Sequence, residues 1–255
     1  MKVGFAGSGN MAAAMARGFR ARGGPEMMLF SDAGSGRAAG LATELGGEAV
    51  ASLGALGAGS DAIVLAVKPA ALSQAGEALG DYSGPVVSVL GATTVAQLEA
   101  AFPAASVLRA MPNVAVEVGR GVICHAPPAD AASLLPVLEL LGRIANLVEI
   151  PEAQLDAATA VMGCAGAYLA FACEALADAG VEAGLDVELS NRLVGLTAAG
   201  TGELLLTHDP RALQEAIASP GGSTEAGLEA LAEHGAREAF TAAVEASLER
   251  MAGKR

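Results

Sequence analysis

Short apolar runs recur along the first 150 residues at 3–6, 27–30, 62–67, 86–90, 106–110, 122–125 and 147–150, with helix-like stretches between most of them. Strands alternating with helices predict a parallel sheet with crossover helices. Beyond Pro151 the strand signals stop, and alanine- and leucine-rich segments with helical spacing continue over 156–185, 187–207, 211–218 and 223–251. Gly184, Asp209-Pro210 and Ser219-Pro220-Gly221-Gly222 interrupt them. The pattern predicts an α/β chain: a Rossmann-type, doubly wound, mainly parallel sheet over residues 1–150, then an all-α domain over 151–255. About 100 residues of apolar-striped helix are more than a small domain buries alone, so the helical half is expected to pair with a second copy, as a homodimer or higher oligomer.

Composition narrows the function classes. Hydrophobic residues make up 53% of the 255 residues, much of it alanine, and no run approaches the roughly 20 apolar residues of a membrane span. The opening Met1-Lys2-Val3-Gly4-Phe5-Ala6 enters a strand at once, without signal-peptide features, and predicts a cytoplasmic protein not associated with a membrane. Cys124, Cys164 and Cys173 form neither a CxxC pair nor a metal-ligand spacing with histidine, so reduced thiols and no metal site are expected. A net charge of −13 disfavours nucleic acid as a partner. The three histidines, His125, His208 and His234, read as surface or loop residues.

The chemistry begins at Gly7-Ser8-Gly9-Asn10-Met11-Ala12, which follows the first strand run and opens a helical stretch. In that context Gly7 permits a tight turn, Gly9 lets the backbone approach a pyrophosphate, and Ala12 still allows close helix–strand packing. Glycines in an ordinary strand-to-helix turn are the plainer alternative. At the end of the second strand, Asp32 suits a free ribose 2′-hydroxyl, as in NAD, whereas Ser31 and Arg37 suit a 2′-phosphate. Ser31 or Asp32 can equally cap the following helix. The balance leans slightly toward NADP(H) over NAD(H).

Five segments in order resemble the pyrroline-5-carboxylate reductase family: the Gly7–Met11 turn, Ala66-Val67-Lys68-Pro69, Arg109-Ala110-Met111-Pro112-Asn113, Glu174-Ala175-Leu176-Ala177-Asp178-Ala179-Gly180, and Ser219-Pro220-Gly221-Gly222-Ser223-Thr224. The resemblance implies reduction of a cyclic imine by NAD(P)H in proline biosynthesis, on a Rossmann domain followed by a helical dimerisation domain. It places Ala66, Val67, Lys68, Pro69 and Asn113 with the cofactor, alongside Gly7, Ser8, Gly9, Asn10, Met11, Ser31, Asp32 and Arg37. It assigns Ser219, Gly221, Gly222, Ser223 and Thr224 to the substrate, with Cys164 beside it, and Thr224 and Lys68 to the catalytic set. Each position has a plainer reading: Lys68 as a solvated strand-end lysine, Asn113 as a turn former, and 219–224 as a helix stop, turn and cap.

The chain departs from the family pattern in places. Met162, Cys164 and Gly166 stand where that family typically has two serines and a proline, Val114-Ala115 replace Thr-Pro, and Glu225 stands where an aliphatic residue is usual. Two alternatives therefore stay open: an imine reductase with another substrate, and a non-catalytic nucleotide-binding regulatory homologue. A hydroxy-acid dehydrogenase would want an acid–base lysine on the helical side, and none occurs between Lys68 and Lys254.

Overall fold

A computed structural model describes residues 1–253, which divide into two compact units: Met1–Cys164 together with the chain end from Leu248, and Ala165–Ser247. The first unit carries β1 (Lys2–Ala6), α1 (Asn10–Arg22), β2 (Met27–Ser31), α2 (Arg37–Leu45), β3 (Glu48–Ala49), α3 (Leu53–Gly59), β4 (Ala62–Leu65) and α4 (Leu72–Leu79). It continues through β5 (Val86–Ser88), α5 (Val95–Ala101), β6 (Val107–Pro112), β7 (Gly121–His125), α6 (Ala131–Leu141), β8 (Ala145–Glu149) and α7 (Leu155–Ala158). The eight strands form one sheet in the order β3-β2-β1-β4-β5-β6-β7-β8, parallel throughout except for the antiparallel β6–β7 pair.

The period of two along each strand loads both faces of the sheet. Val3 and Phe5 of β1, with Ala62 and Val64 of β4, join a cluster that includes Met15, Phe19, Leu41 and Leu134 from α1, α2 and α6. The alternate residues Ala6, Ile63 and Leu65 join Leu56, Leu79 and Leu98 from α3, α4 and α5 on the other face. Phe5 stacks on Phe30 at 5.2 Å between ring centroids, fixing β1 against β2. Because β2 lies on one side of β1 and β4 on the other, the chain reverses direction across the sheet at β1/β4, and a crevice opens at the carboxyl ends of those strands.

The second unit is helical: α8 (Ala165–Glu182), α9 (Val187–Leu205), α10 (Pro210–Ile217), α11 (Ser223–Glu233) and most of α12 (Ala236–Met251). The Ser190 hydroxyl donates to the Ala177 carbonyl at 2.7 Å, and Gly180 admits that close approach of α9 to α8, since a Cβ there would lie 2.3 Å from Ser190 Oγ. Few large side chains are buried, whereas Leu169, Phe171, Leu176, Leu196 and Leu206 are each more than 60% exposed.

Several sequence expectations need correction. β3 was not anticipated, because two residues, one of them a glutamate, carry no apolar alternation. The helix expected over 156–185 is broken by a π-helical turn at Thr159–Gly163, where the Cys164 amide reaches back to the Thr159 carbonyl. That expected over 223–251 is two helices, because Gly235 adopts a left-handed φ of 70° between them. His125 is not on the surface: it ends β7 and is 5% exposed. Finally, the run Glu152–Glu182 does reach the length and apolarity of a membrane-crossing helix, with a mean hydropathy of 1.6 in a window only 11% buried. No charged side chain occurs over 157–173, and the many small apolar residues there raise the mean without a run of large ones.

Candidate functional site

At the carboxyl end of β1 the chain turns through Gly7, whose φ of 103° lies outside the range of ordinary side chains. A Cβ at Gly7 would fall 2.5 Å from the Ala66 carbonyl oxygen, so the residue also permits the close approach of β1 to the segment after β4. The Gly7 amide and the Ser8 hydroxyl both donate to the Ser31 carbonyl, at 2.9 and 3.3 Å, which ties the turn to the end of β2. Gly9 then starts α1 with no side-chain cap among the described residues and no acid in the first turn. The first amides of α1 are left without partners there, and the positive end of the helix dipole faces the crevice.

A cleft of about 640 Å³ lies over this helix end. Among the residues expected at the cofactor, Gly7, Ser8, Gly9, Ser31, Asp32, Arg37, Val67 and Lys68 line it together. Asn10 lines a neighbouring recess along with Arg17, Arg37 and Glu117. Met11 and Ala66 instead pack on the hydrophobic core, and Pro69 opens a 3₁₀ turn that continues to Ala71. The cleft wall also includes Ser35, Ser52, Leu53 and Gln74. These were missed because no motif marks them: Ser35 is held by Asp32 in the loop after β2, and α3 and α4 bring the other three to the crevice only once the crossovers are folded.

Asp32 has a definite local role. Its Oδ1 accepts the amides of Gly34 and Ser35, and its Oδ2 accepts the Ser35 hydroxyl and the Ala38 amide at 2.8 Å. The Ala38 amide foremost, with the Ser35 hydroxyl and the Gly34 and Ser35 amides, holds this carboxyl below the usual aspartate range against a smaller opposing effect of burial. Both oxygens are thus occupied in shaping the start of α2. Arg37, by contrast, is exposed on the cleft wall and makes no ion pair among the described residues.

Asn113 also acts locally: its Oδ1 accepts the Val122 amide at 3.0 Å, and its Nδ2 lies 3.5 Å from the Met162 carbonyl oxygen. Behind it Arg109, 4% exposed in β6, pairs with Glu152 at 3.2 Å and Asp156 at 2.8 Å, fastening the strand to α7 and the turn before it. Glu152 additionally accepts the Val95 amide. Arg109 carries one buried polar atom, Nε, without a partner. The sequence gives no sign of this network, since its acids lie more than 40 residues away.

In the helical unit Gly221 adopts a φ of 70°, and the Gly222 amide closes a turn onto the Ser219 carbonyl at 2.9 Å. Gly222 caps α11 without a side-chain bond, and the exposed residues Ser223 and Thr224 occupy the first turn. Ser219, Gly221, Gly222, Ser223 and Thr224 are therefore brought together at one helix N-terminus, an arrangement suited to an anion. Cys164 belongs to the first unit, directly after the π-helical turn.

Residues 152–253 match a family model described as pyrroline-5-carboxylate reductase dimerisation, and residues 2–92 match one described as NADP oxidoreductase coenzyme F420-dependent. The chain is 36% identical over 197 residues to a pyrroline-5-carboxylate reductase of Synechocystis, covering 75% of this chain and 74% of that one. It is 34% identical to that of Pseudomonas aeruginosa over 97% of this chain and 93% of the other. Its fold superposes on a crystal structure of Plasmodium falciparum pyrroline carboxylate reductase with NADP bound, with a TM-score of 0.88 and 28% identity over 100% of this chain and 98% of that chain. With relatives matched along nearly its whole length, and with the strand-end crevice and helical unit in the expected order, the chain belongs to the pyrroline-5-carboxylate reductase family.

Proposed function

We propose that this protein is an NAD(P)H-dependent reductase that converts the C=N bond of pyrroline-5-carboxylate to the C–N bond of proline, and that it works as a homodimer or larger homo-oligomer. The observation that carries the reading is the uncapped α1 terminus at the floor of the 640 Å³ cleft, within a chain of this family. A dinucleotide fits those residues: a Cβ on Gly9 would meet nothing within 4 Å, so the turn leaves open space in front of the helix amides. When bound, the reduced nicotinamide supplies the hydride to the imine carbon.

The remaining roles fall to the chain's own residues. The Gly9 turn and the α1 amides hold the pyrophosphate, and Lys68 offers a cation on the cleft wall. The turn at 219–224 receives the substrate carboxylate, and Thr224 hydrogen-bonds toward the imine nitrogen, where the proton arrives. Holding donor and acceptor in register contributes most of the rate, since a protonated imine is already electrophilic. The helical unit favours self-association, because large apolar side chains such as Leu169, Phe171, Leu176 and Leu196 would otherwise face water.

The same geometry favours NADPH over NADH. Asp32, the acid best placed to accept ribose hydroxyls, already has both oxygens bonded, while the exposed Ser35 and Arg37 can donate to a 2′-phosphate. Arg37→Ala is expected to raise KM for NADPH about tenfold or more, on the scale of one hydrogen bond to a charged group, and to change KM for NADH less than about twofold. Equal changes for both cofactors would remove Arg37 from 2′-phosphate recognition. The function itself is tested by following NADPH oxidation with pyrroline-5-carboxylate and identifying proline as product; cofactor binding without turnover would refute it.

A further inference from the structure

We propose that Glu225 tunes the substrate range of this reductase by competing for the turn that receives the substrate carboxylate, so that the preference for carboxylated over uncharged cyclic imines is smaller than the turn alone would give. The inference rests on the imine-reductase reading above. Its observation is one hydrogen bond: the Gly221 amide donates to Glu225 Oε2 at 2.6 Å.

The turn has few amides to offer. Pro220 has none, Gly222 donates to the Ser219 carbonyl, and Gly221 is taken by Glu225, which leaves those of Ser223, Thr224 and Glu225 at the start of α11. Glu225 lies in the first turn of the same helix, so its carboxylate benefits from the same positive end that would attract a bound anion. An incoming carboxylate thus meets a fixed negative charge, already hydrogen-bonded at its own binding turn, and loses one donor to it.

Two arginines share the surroundings of that charge without pairing to it directly. Glu225 lines a cavity of about 470 Å³ with Arg211, Arg237 and a second acid, Glu215, and no ion pair to Glu225 occurs among the described residues. A purely structural reading also exists, since a glutamate three residues into a helix commonly reaches back to an amide ahead of it. The two readings separate on charge, because a glutamine would keep the acceptor oxygen and the size of the side chain while removing the repulsion.

The experiment compares wild type with Glu225→Gln, measuring kcat/KM for pyrroline-5-carboxylate and for 1-pyrroline under saturating NADPH. The repulsion of two charges near 4 Å corresponds to about fivefold in water and more in a partly closed site. The ratio of kcat/KM for the carboxylated over the uncharged imine is therefore expected to rise at least about fivefold in Glu225→Gln, through KM. Added salt should lower the wild-type KM for pyrroline-5-carboxylate and leave that of the variant nearly constant. A ratio that stays the same or falls, with both imines turned over, overturns the assignment and leaves Glu225 as a cap. If wild type reduces neither imine, the imine-reductase reading fails and the Glu225 assignment fails with it.

Discussion

Gly9→Val is expected to raise KM for NADPH at least about a hundredfold, the loss of two hydrogen bonds to charged phosphate oxygens, while leaving the melting temperature within about 2 °C of wild type. The two halves of that result have separate causes. Gly9 has φ −77° and ψ −175°, extended backbone that valine adopts readily, and a Cβ there meets no atom of the protein within 4 Å. The fold has no need of glycine at this position. The space ahead of the α1 amides does, if a pyrophosphate is to reach them.

Gly7→Ala gives the opposite signature. Its φ of 103° disfavours any side chain, and the new Cβ would lie 2.5 Å from the Ala66 carbonyl oxygen and 2.7 Å from its carbon. Strain of roughly 2 kcal/mol or more lowers the melting temperature by about 4–8 °C, with cofactor affinity falling as a consequence of the distorted turn. Circular-dichroism melts and NADPH titration of the two variants check the pair. A Gly9→Val protein that binds NADPH like wild type would show that the phosphates lie elsewhere.

The two glycines also mark how far the residues alone could be read. Glycine spacing after a strand run placed the turn, but the sequence does not distinguish a glycine required by backbone conformation from one required by a ligand. That difference is visible only in φ and in the nearest atoms. The strand runs were legible because a parallel sheet buried on both faces needs continuous apolar segments, as in Ala62–Leu65. Glu48–Ala49 was not, being an edge held by pairing with Leu29 and Phe30 rather than by its own composition.

Polar residues were harder to read than apolar ones, because one side chain serves several chemistries. Asp32 suited both a ribose and a helix cap until its four hydrogen bonds assigned it to the start of α2. Asn113 suited cofactor and turn alike, and its amide is engaged with Val122. Arg109 stood inside a quoted motif without a role, since Glu152 and Asp156 reach it only through the folding of the segment after β8. Glu225 was visible as a departure from the family pattern, but only its bond to Gly221 shows where its charge is held.

Thr224→Ala is expected to lower kcat/KM for pyrroline-5-carboxylate about ten- to a hundredfold, at or below the lower end of the range for a positioned proton-transfer group, with KM for NADPH and the melting temperature unchanged. Three helical threonines elsewhere in the chain bond their hydroxyls to the preceding turn: Thr43 to Ala39, Thr159 to Leu155 and Thr241 to Arg237. Thr224 sits in the first turn of α11, where no helical carbonyl precedes it, and its hydroxyl has no partner among the described residues. It is free to meet a ligand, and alanine in its place leaves no intrachain bond unmade. The effect is bounded because a threonine hydroxyl is too weak an acid to protonate the imine unaided; it orients the nitrogen or passes a proton from water. The loss should accordingly depend on pH. Where the imine arrives protonated, at the acid end, variant and wild type converge, and the gap widens as pH rises and the proton must be delivered in the site. Thr224→Ser, which keeps the hydroxyl, should remain within about threefold of wild type across that range, the span of a lost methyl contact. A constant deficit at every pH would leave Thr224 with a packing role alone, and equal rates for alanine and threonine would remove it from the reaction.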